Sequence, residues 1–165
     1  MPFYYSVQRS ATTNGTGNTC SNHLRLLTIA NQANCSVVQV MAAIRNSTTA
    51  GSGVLQIVRQ GVGGANLTGG TSITPDEMNP RGSAAETTAA TDATAFTGYG
   101  ATASRVVAGV IGYAQTGGQG GWVALERDNA FTLNPNGGAN GNLEFDSFTA
   151  TASQALEVSA QFLEG

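Results

Sequence analysis

Lysine is absent from this chain, and its seven cations are all arginines, scattered singly along 165 residues. Nucleic-acid binding draws on clustered basic side chains that displace counterions from phosphates, so the composition argues against such a partner. Charge of either sign is scarce: 10% of residues are charged and the net charge is -3. A freely soluble monomer is expected to carry roughly 25–35% charged residues on its surface. This surface is therefore neutral and polar, or partly hidden against neighbours. No run approaches the ~18 consecutive apolar residues of a transmembrane helix, and no membrane partner is expected. The opening "MPFYYSVQRS" lacks the basic and apolar regions of a secretory signal, which gives the expectation of a protein made in the cytoplasm without Sec export.

Cysteine and histidine are equally sparse, with two of one and one of the other. Read as an antiparallel hairpin turning at residues 31–34, "NHLRLLTIA" and "CSVVQVMAAIR" place Cys20 and Cys35 at opposite ends of a strand. At about 3.3 Å per residue that separation far exceeds the ~7 Å Cα limit for a disulfide. Two free thiols are expected, as suits a reducing compartment. His23, at the mouth of a strand, reads as structural; a dyad with Cys20 lacks any marked orienting group. No nucleophile elbow, phosphate-binding loop or zinc-protease motif occurs, so neither an enzyme nor a cofactor is expected. "GGANGNLEF" comes near a calcium-binding nonapeptide, but Asn142 stands where the aspartate belongs and the unit never repeats, so no metal site is expected. Glu144 and Asp146, two apart on a strand, share a face that reads as its polar side.

What the chain does have is period-2 alternation between turn-forming stretches. In "QALEVSAQFLE", Leu156, Val158, Ala160 and Phe162 alternate with Glu157, Ser159 and Gln161, which marks a half-buried strand. In "CSVVQVMAAIR" the apolar face is Val38, Val40, Ala42 and Ile44, whereas "SRVVAGVIGYA" is apolar on both sides and reads as a central strand. With "FYYSVQ", "HLRLLTIA", "GVLQIVRQ", "GWVALER", "AFTL" and "NLEFDSF", about eight or nine strands emerge. "QTGGQGG", "NPNGGANGN" and Asn14-Gly15 supply turns. "SAAETTAATDA" is too rich in threonine, and too poor in any apolar stripe, for more than one helical turn. The expected fold is all-β, a jelly-roll-like antiparallel β-sandwich of about eight strands in one domain over residues 1–165. An immunoglobulin-like sandwich is the alternative, and it lacks the Cys-Trp-Cys order because Trp122 follows both cysteines.

Residues 61–103 interrupt this pattern with a passage longer than the roughly 12–15 residues usual for connections. Pro75 and Pro80 fix φ and push Thr74 and Asn79 into extended backbone. Small Ala and Thr side chains and the Gly69-Gly70 pair allow close approach to another surface. Such a stretch buries too little apolar area to order itself, so the expectation is an extended arm ordered by a neighbouring subunit. Phe3, Tyr4 and Tyr5 form a second unusual cluster, since alternation buries only one side of the run. They are assigned to contacts with another chain, the alternative being a strand covering one end of the core.

The passage resembles a pattern found in small structural proteins of tailed bacteriophages. Its parts are Val58-Arg59-Gln60 at a strand end, Gly69-Gly70, Thr74-Pro75, Asp76, Asn79-Pro80-Arg81, and an Ala/Thr-rich run over residues 83–98. The composition and strand count are similar to those of phage capsid decoration, or cement, proteins, many of which are jelly-roll homotrimers. The resemblance implies a virion structural protein, made in the host cytoplasm, that trimerises and binds the major capsid protein on the outer capsid surface. The expected interface residues are Phe3, Tyr4, Tyr5, Pro75, Asp76, Glu77, Asn79, Pro80, Arg81, Tyr99 and Trp122. The alternative from another class is a carbohydrate- or receptor-binding module of a fibre or spike, with Trp122, Tyr99 and Tyr113 as stacking platforms.

Overall fold

The computed structural model describes residues 3–12, 21–27, 33–44, 52–60, 70–78, 84–91, 105–114, 119–124, 130–133, 142–149 and 155–165. These form strands β1 (Phe3–Thr12), β2 (Ser21–Leu27), β3 (Cys35–Ile44), β4 (Ser52–Gln60), β5 (Thr71–Ile73), β6 (Asp76–Glu77), β7 (Thr88–Thr91), β8 (Arg105–Ala114), β9 (Gln119–Val123), β10 (Phe131–Leu133), β11 (Asn142–Thr149) and β12 (Ala155–Glu164). All described pairings are antiparallel, and the strands lie in two sheets. Sheet A runs β10-β3-β12-β1-β6, with β9 beside β10 on the same edge of β3; sheet B runs β5-β7-β2-β11-β4-β8. The all-β sandwich is thus as expected.

The core lies between the sheets. Tyr5, Val7, Val37, Val40, Val158 and Phe162 of sheet A meet Leu24, Leu26, Leu55, Ile57, Leu143 and Phe145 of sheet B, all of them buried. Full burial of each such side chain contributes about 1.5–3 kcal/mol. In β12 the alternation is as read, with Leu156, Val158, Ala160 and Phe162 buried and Glu157, Ser159 and Gln161 half-buried.

Several expectations are corrected. β2 and β3 are not a hairpin: β2 pairs with β11 and β7 in sheet B, whereas β3 pairs with β12, β9 and β10 in sheet A. Cys35 is nonetheless a free, buried thiol, and Cys20 lies outside the described residues. Within β3 a register shift opposite Gln161 and Phe162 changes the inward parity. Cys35 and Val37 face the core on one side of it and Val40 and Ala42 on the other, so Val38 leaves the buried face. This is the action of a β-bulge, which re-aims side chains by inserting one residue.

β8, read as central, is an edge strand whose described partner in the sheet is β4, and it leaves Val107 and Val110 42% and 62% exposed. Glu144 and Asp146 do share the face of β11 opposite the core, but they are buried rather than solvated. Glu144 sits cross-strand from Arg25 and Asp146 from Gln56.

The long passage also differs from expectation. Its described residues find partners within the chain: β5 pairs with β7, β7 with β2, and β6 with β1. β-branched Thr suits the pleated surface of a strand, and Ala89 and Thr91 point into buried positions. Thr74 and Pro75 carry the chain from β5 in sheet B to β6 in sheet A. The fixed φ of proline thereby serves a corner between sheets. At the opposite edges of the two sheets, β8 and β9 approach closely. A Cβ on Gly120 would stand 2.1 Å from the Gly112 carbonyl oxygen and 2.5 Å from Ile111 Cγ2.

Candidate docking surface

Two segments nominated separately by the sequence meet at one sheet edge. β6 pairs with β1, placing Glu77 opposite Tyr5 and Asp76 opposite Ser6, and the Met78 amide donates to the Tyr4 carbonyl at 2.9 Å. Alternation then sorts the side chains. Tyr5 turns inward, 1% exposed, and its ring stacks on Phe162 with centroids 5.5 Å apart. Phe3 is half-buried against the same core. The assignment of all three N-terminal aromatics to contacts is therefore corrected: Tyr5 is core, Phe3 packs on it, and Tyr4 is the outward member. Tyr4 and Met78, both substantially exposed, form an apolar pair on the outer side. Pro75 is half-buried, Asp76 exposed and Glu77 half-buried. Asn79, Pro80, Arg81 and Tyr99, and the ring of Tyr113, lie outside the described residues. Trp122 is far from this group, on the opposite edge of sheet A, where its ring packs 4.2 Å from that of Phe131.

Between these edges the outer face of sheet A is uncharged over most of its width. Gln39 lies cross-strand from Gln161, Met41 from Ser159, Gln161 from Ser6, and Ser159 from Gln8. Among the described residues the charges on this face are Asp76 and Glu157, and Glu157 accepts a hydrogen bond from the Gln8 side-chain amide. Val123, opposite Gln39, is exposed. The middle of sheet B offers no equivalent, because Val58, Glu144 and Asp146 on its outer side are already buried. Sequence reading passed over the sheet A face because its Gln and Ser positions look like ordinary solvent-facing residues.

Behind this face, at the end of the sandwich where β1 begins and β12 ends, lies a pocket of about 320 Å³. Phe3, Tyr5, Glu86 and Glu164 line it, together with Ala33 and Ala84. Glu164 accepts hydrogen bonds from the amides of Glu86 at 3.0 Å and Thr87 at 2.6 Å, and Glu86 accepts one from the amide of Ala33. Burial, and then the charges of Glu164, Glu77 and Glu86, push the Tyr5 hydroxyl above its ordinary pKa. The Cys35 thiol is pushed up to about 12, chiefly by burial; the Thr87 hydroxyl opposes this and the Glu164 charge adds to it. Neither group is primed for chemistry at neutral pH.

No protein-family model matches the chain, and no curated protein or solved structure matches it at a significant level. Among the described residues no group of three or more His, Cys, Asp or Glu is arranged to hold a metal ion. Among the same described residues no helix is long and apolar enough to cross a membrane.

Proposed function

We propose that this protein is a virion structural protein, a decoration or cement protein that binds the outside of a phage head as a trimer and reinforces it. The observation that carries the reading is the nested order of strand pairing. β1 pairs with β12, β12 with β3 and β3 with β9 and β10, while β2 pairs with β11, β11 with β4 and β4 with β8. First with last and second with second-to-last supports the jelly-roll reading, an architecture found in many capsid domains. Fold alone does not fix function, and the sheet A face supplies the second support. A surface of Gln, Ser, Met, Val and Tyr with few charges suits contact with another protein, since interface cores are depleted in charge and enriched in Tyr and Met. Three such faces on one trimer give avidity without a deep pocket on any of them.

The carbohydrate-binding alternative finds less support, because Trp122 is half-buried and leans on Phe131, leaving little of its ring for a sugar. The deciding experiment adds purified protein to phage heads stripped of decoration. Saturable binding at hundreds of copies per head, with greater resistance of the heads to heat, is expected. A handful of copies per particle, or saturable binding on a glycan array with none on heads, would overturn the reading.

A further inference from the structure

The pocket beneath the sheet A face holds two carboxylates in a particular way. Main-chain N–H groups of Ala33, Glu86 and Thr87 fix Glu86 and Glu164 in place. Amides orient a carboxylate without cancelling its charge. A carboxylate has roughly four acceptor positions, so both retain capacity toward the pocket. Phe3 and Tyr5 supply aromatic walls beside them. At about 320 Å³ the space is far larger than a bare ion needs and falls in the range of pockets that hold organic groups. Negative charge beside aromatic rings, on the buried Glu164 and the exposed Glu86, selects an organic cation. Of the two cationic side chains, guanidinium is flat, weakly hydrated, able to stack on a ring and able to fork onto a carboxylate, whereas ammonium is compact and strongly hydrated.

We propose that this pocket is a receptor for a guanidinium group, donated by an arginine of a second copy of the chain. Apart from one histidine, every cationic side chain this protein can offer a neighbour is a guanidinium, since it has seven arginines and no lysine. The donor rests on the trimer proposed above; the chemistry of the pocket does not.

The test titrates ¹⁵N-labelled protein with N-acetyl-arginine methylamide, with the neutral citrulline analogue as control. The arginine probe should shift the amide resonances of Ala33, Ala84 and Gly165 saturably, and the citrulline probe should bind at least about tenfold more weakly. Glu86→Gln keeps an acceptor for Ala33 but removes a charge, and should weaken the arginine probe roughly tenfold at unchanged melting temperature. Phe3→Leu keeps the apolar wall without the ring and should weaken it roughly threefold. In sedimentation, excess arginine probe should shift the native oligomer toward smaller species, and Glu86→Gln should populate those smaller species without any probe. Absence of saturable shifts, or equal binding of the two probes, overturns the receptor. Binding that leaves the oligomer intact overturns the second copy as donor. Head binding by the native protein is measured separately, so the pocket can fail while the decoration reading stands.

Discussion

The carboxylate of Glu164, at the end of β12, lies 2.6 Å from the amide nitrogen of Thr87, a residue 77 positions earlier in the chain. Glu164 is only 4% exposed, and a second oxygen bonds the neighbouring Glu86 amide. One side chain thus ties the last strand of sheet A to the entry of β7 in sheet B. Glu164→Ala should destabilise the fold by about 2–3 kcal/mol in urea unfolding, because it leaves the buried Thr87 amide without an acceptor. Glu164→Gln, which keeps a neutral acceptor, should cost about 1 kcal/mol.

Deletion of residues 1–8 should abolish cooperative folding. The segment carries Tyr5 and Val7 into the core, and its loss removes both rungs joining β1 to β6 and six of the ten joining β1 to β12. Tyr5→Ala alone should cost about 3–5 kcal/mol, the range for emptying an aromatic site in a core. Retention of a sharp thermal transition by circular dichroism in the deleted protein would contradict this.

Tyr4 and Met78 test the proposed docking face without touching the core. The double variant Tyr4→Ser, Met78→Ser should change stability by no more than about 0.5 kcal/mol, as is usual for exposed positions. Its occupancy on stripped heads should fall several-fold. Unchanged occupancy would move the docking site off this edge of sheet A.

Gly120 and Gly112 make a matched pair at the corner between β8 and β9. Gly120→Ala drives a methyl group into the Gly112 carbonyl and should destabilise by about 1–3 kcal/mol, as overpacking does. A Cβ at Gly112 meets nothing within 4 Å, so Gly112→Ala should be neutral or slightly stabilising through the lower entropy of the unfolded chain. Differential scanning calorimetry of the two variants separates the cases.

Cys35 sets an alkaline limit. Its folded pKa, pushed up to about 12 by burial, lies above the ordinary thiol value of 9.0, so the folded state holds the proton where the unfolded chain releases it. The stabilisation is therefore complete below about pH 9 and is lost as pH rises from there toward 12. Tyr5, raised from 10.0, adds in the same sense. Urea midpoints measured across this window should fall with pH, and less steeply in Cys35→Ala. At neutral pH the thiol should react with iodoacetamide only when the protein is unfolded.

How much of this could be read from the residues differs strand by strand. β12 was legible because strict alternation admits one arrangement of Leu156, Val158, Ala160 and Phe162. β8 was not, because valines on both sides say that a strand is apolar without saying whether neighbours flank it, and Val107 and Val110 in fact meet solvent. The shift at Val38 left no trace, since valine at 37 or at 38 satisfies either parity. The importance of Thr74 and Pro75 was visible but its reason was not: their rigidity suited an arm equally well, and only the pairing of β6 with β1 shows that it turns a corner. Of the candidate site, Tyr4 and the segment around Asp76 were named separately, with nothing to indicate that they adjoin. The pocket was invisible, because Glu164 reads as the polar tail of a strand until residues 84–87 are folded against it.

The ladder between β1 and β12 has a mechanical sense. Ten residue pairs run from Phe3 with Glu164 to Thr12 with Ala155. Tension that separates residue 3 from residue 164 reaches one rung at a time and opens the ladder like a zipper, beginning beneath the pocket. Tension between residue 12 and residue 164 pulls lengthwise along the strands and loads all the rungs in shear together. A load entering from the pocket end therefore meets a soft joint, and the same load directed along the strands meets a stiff one.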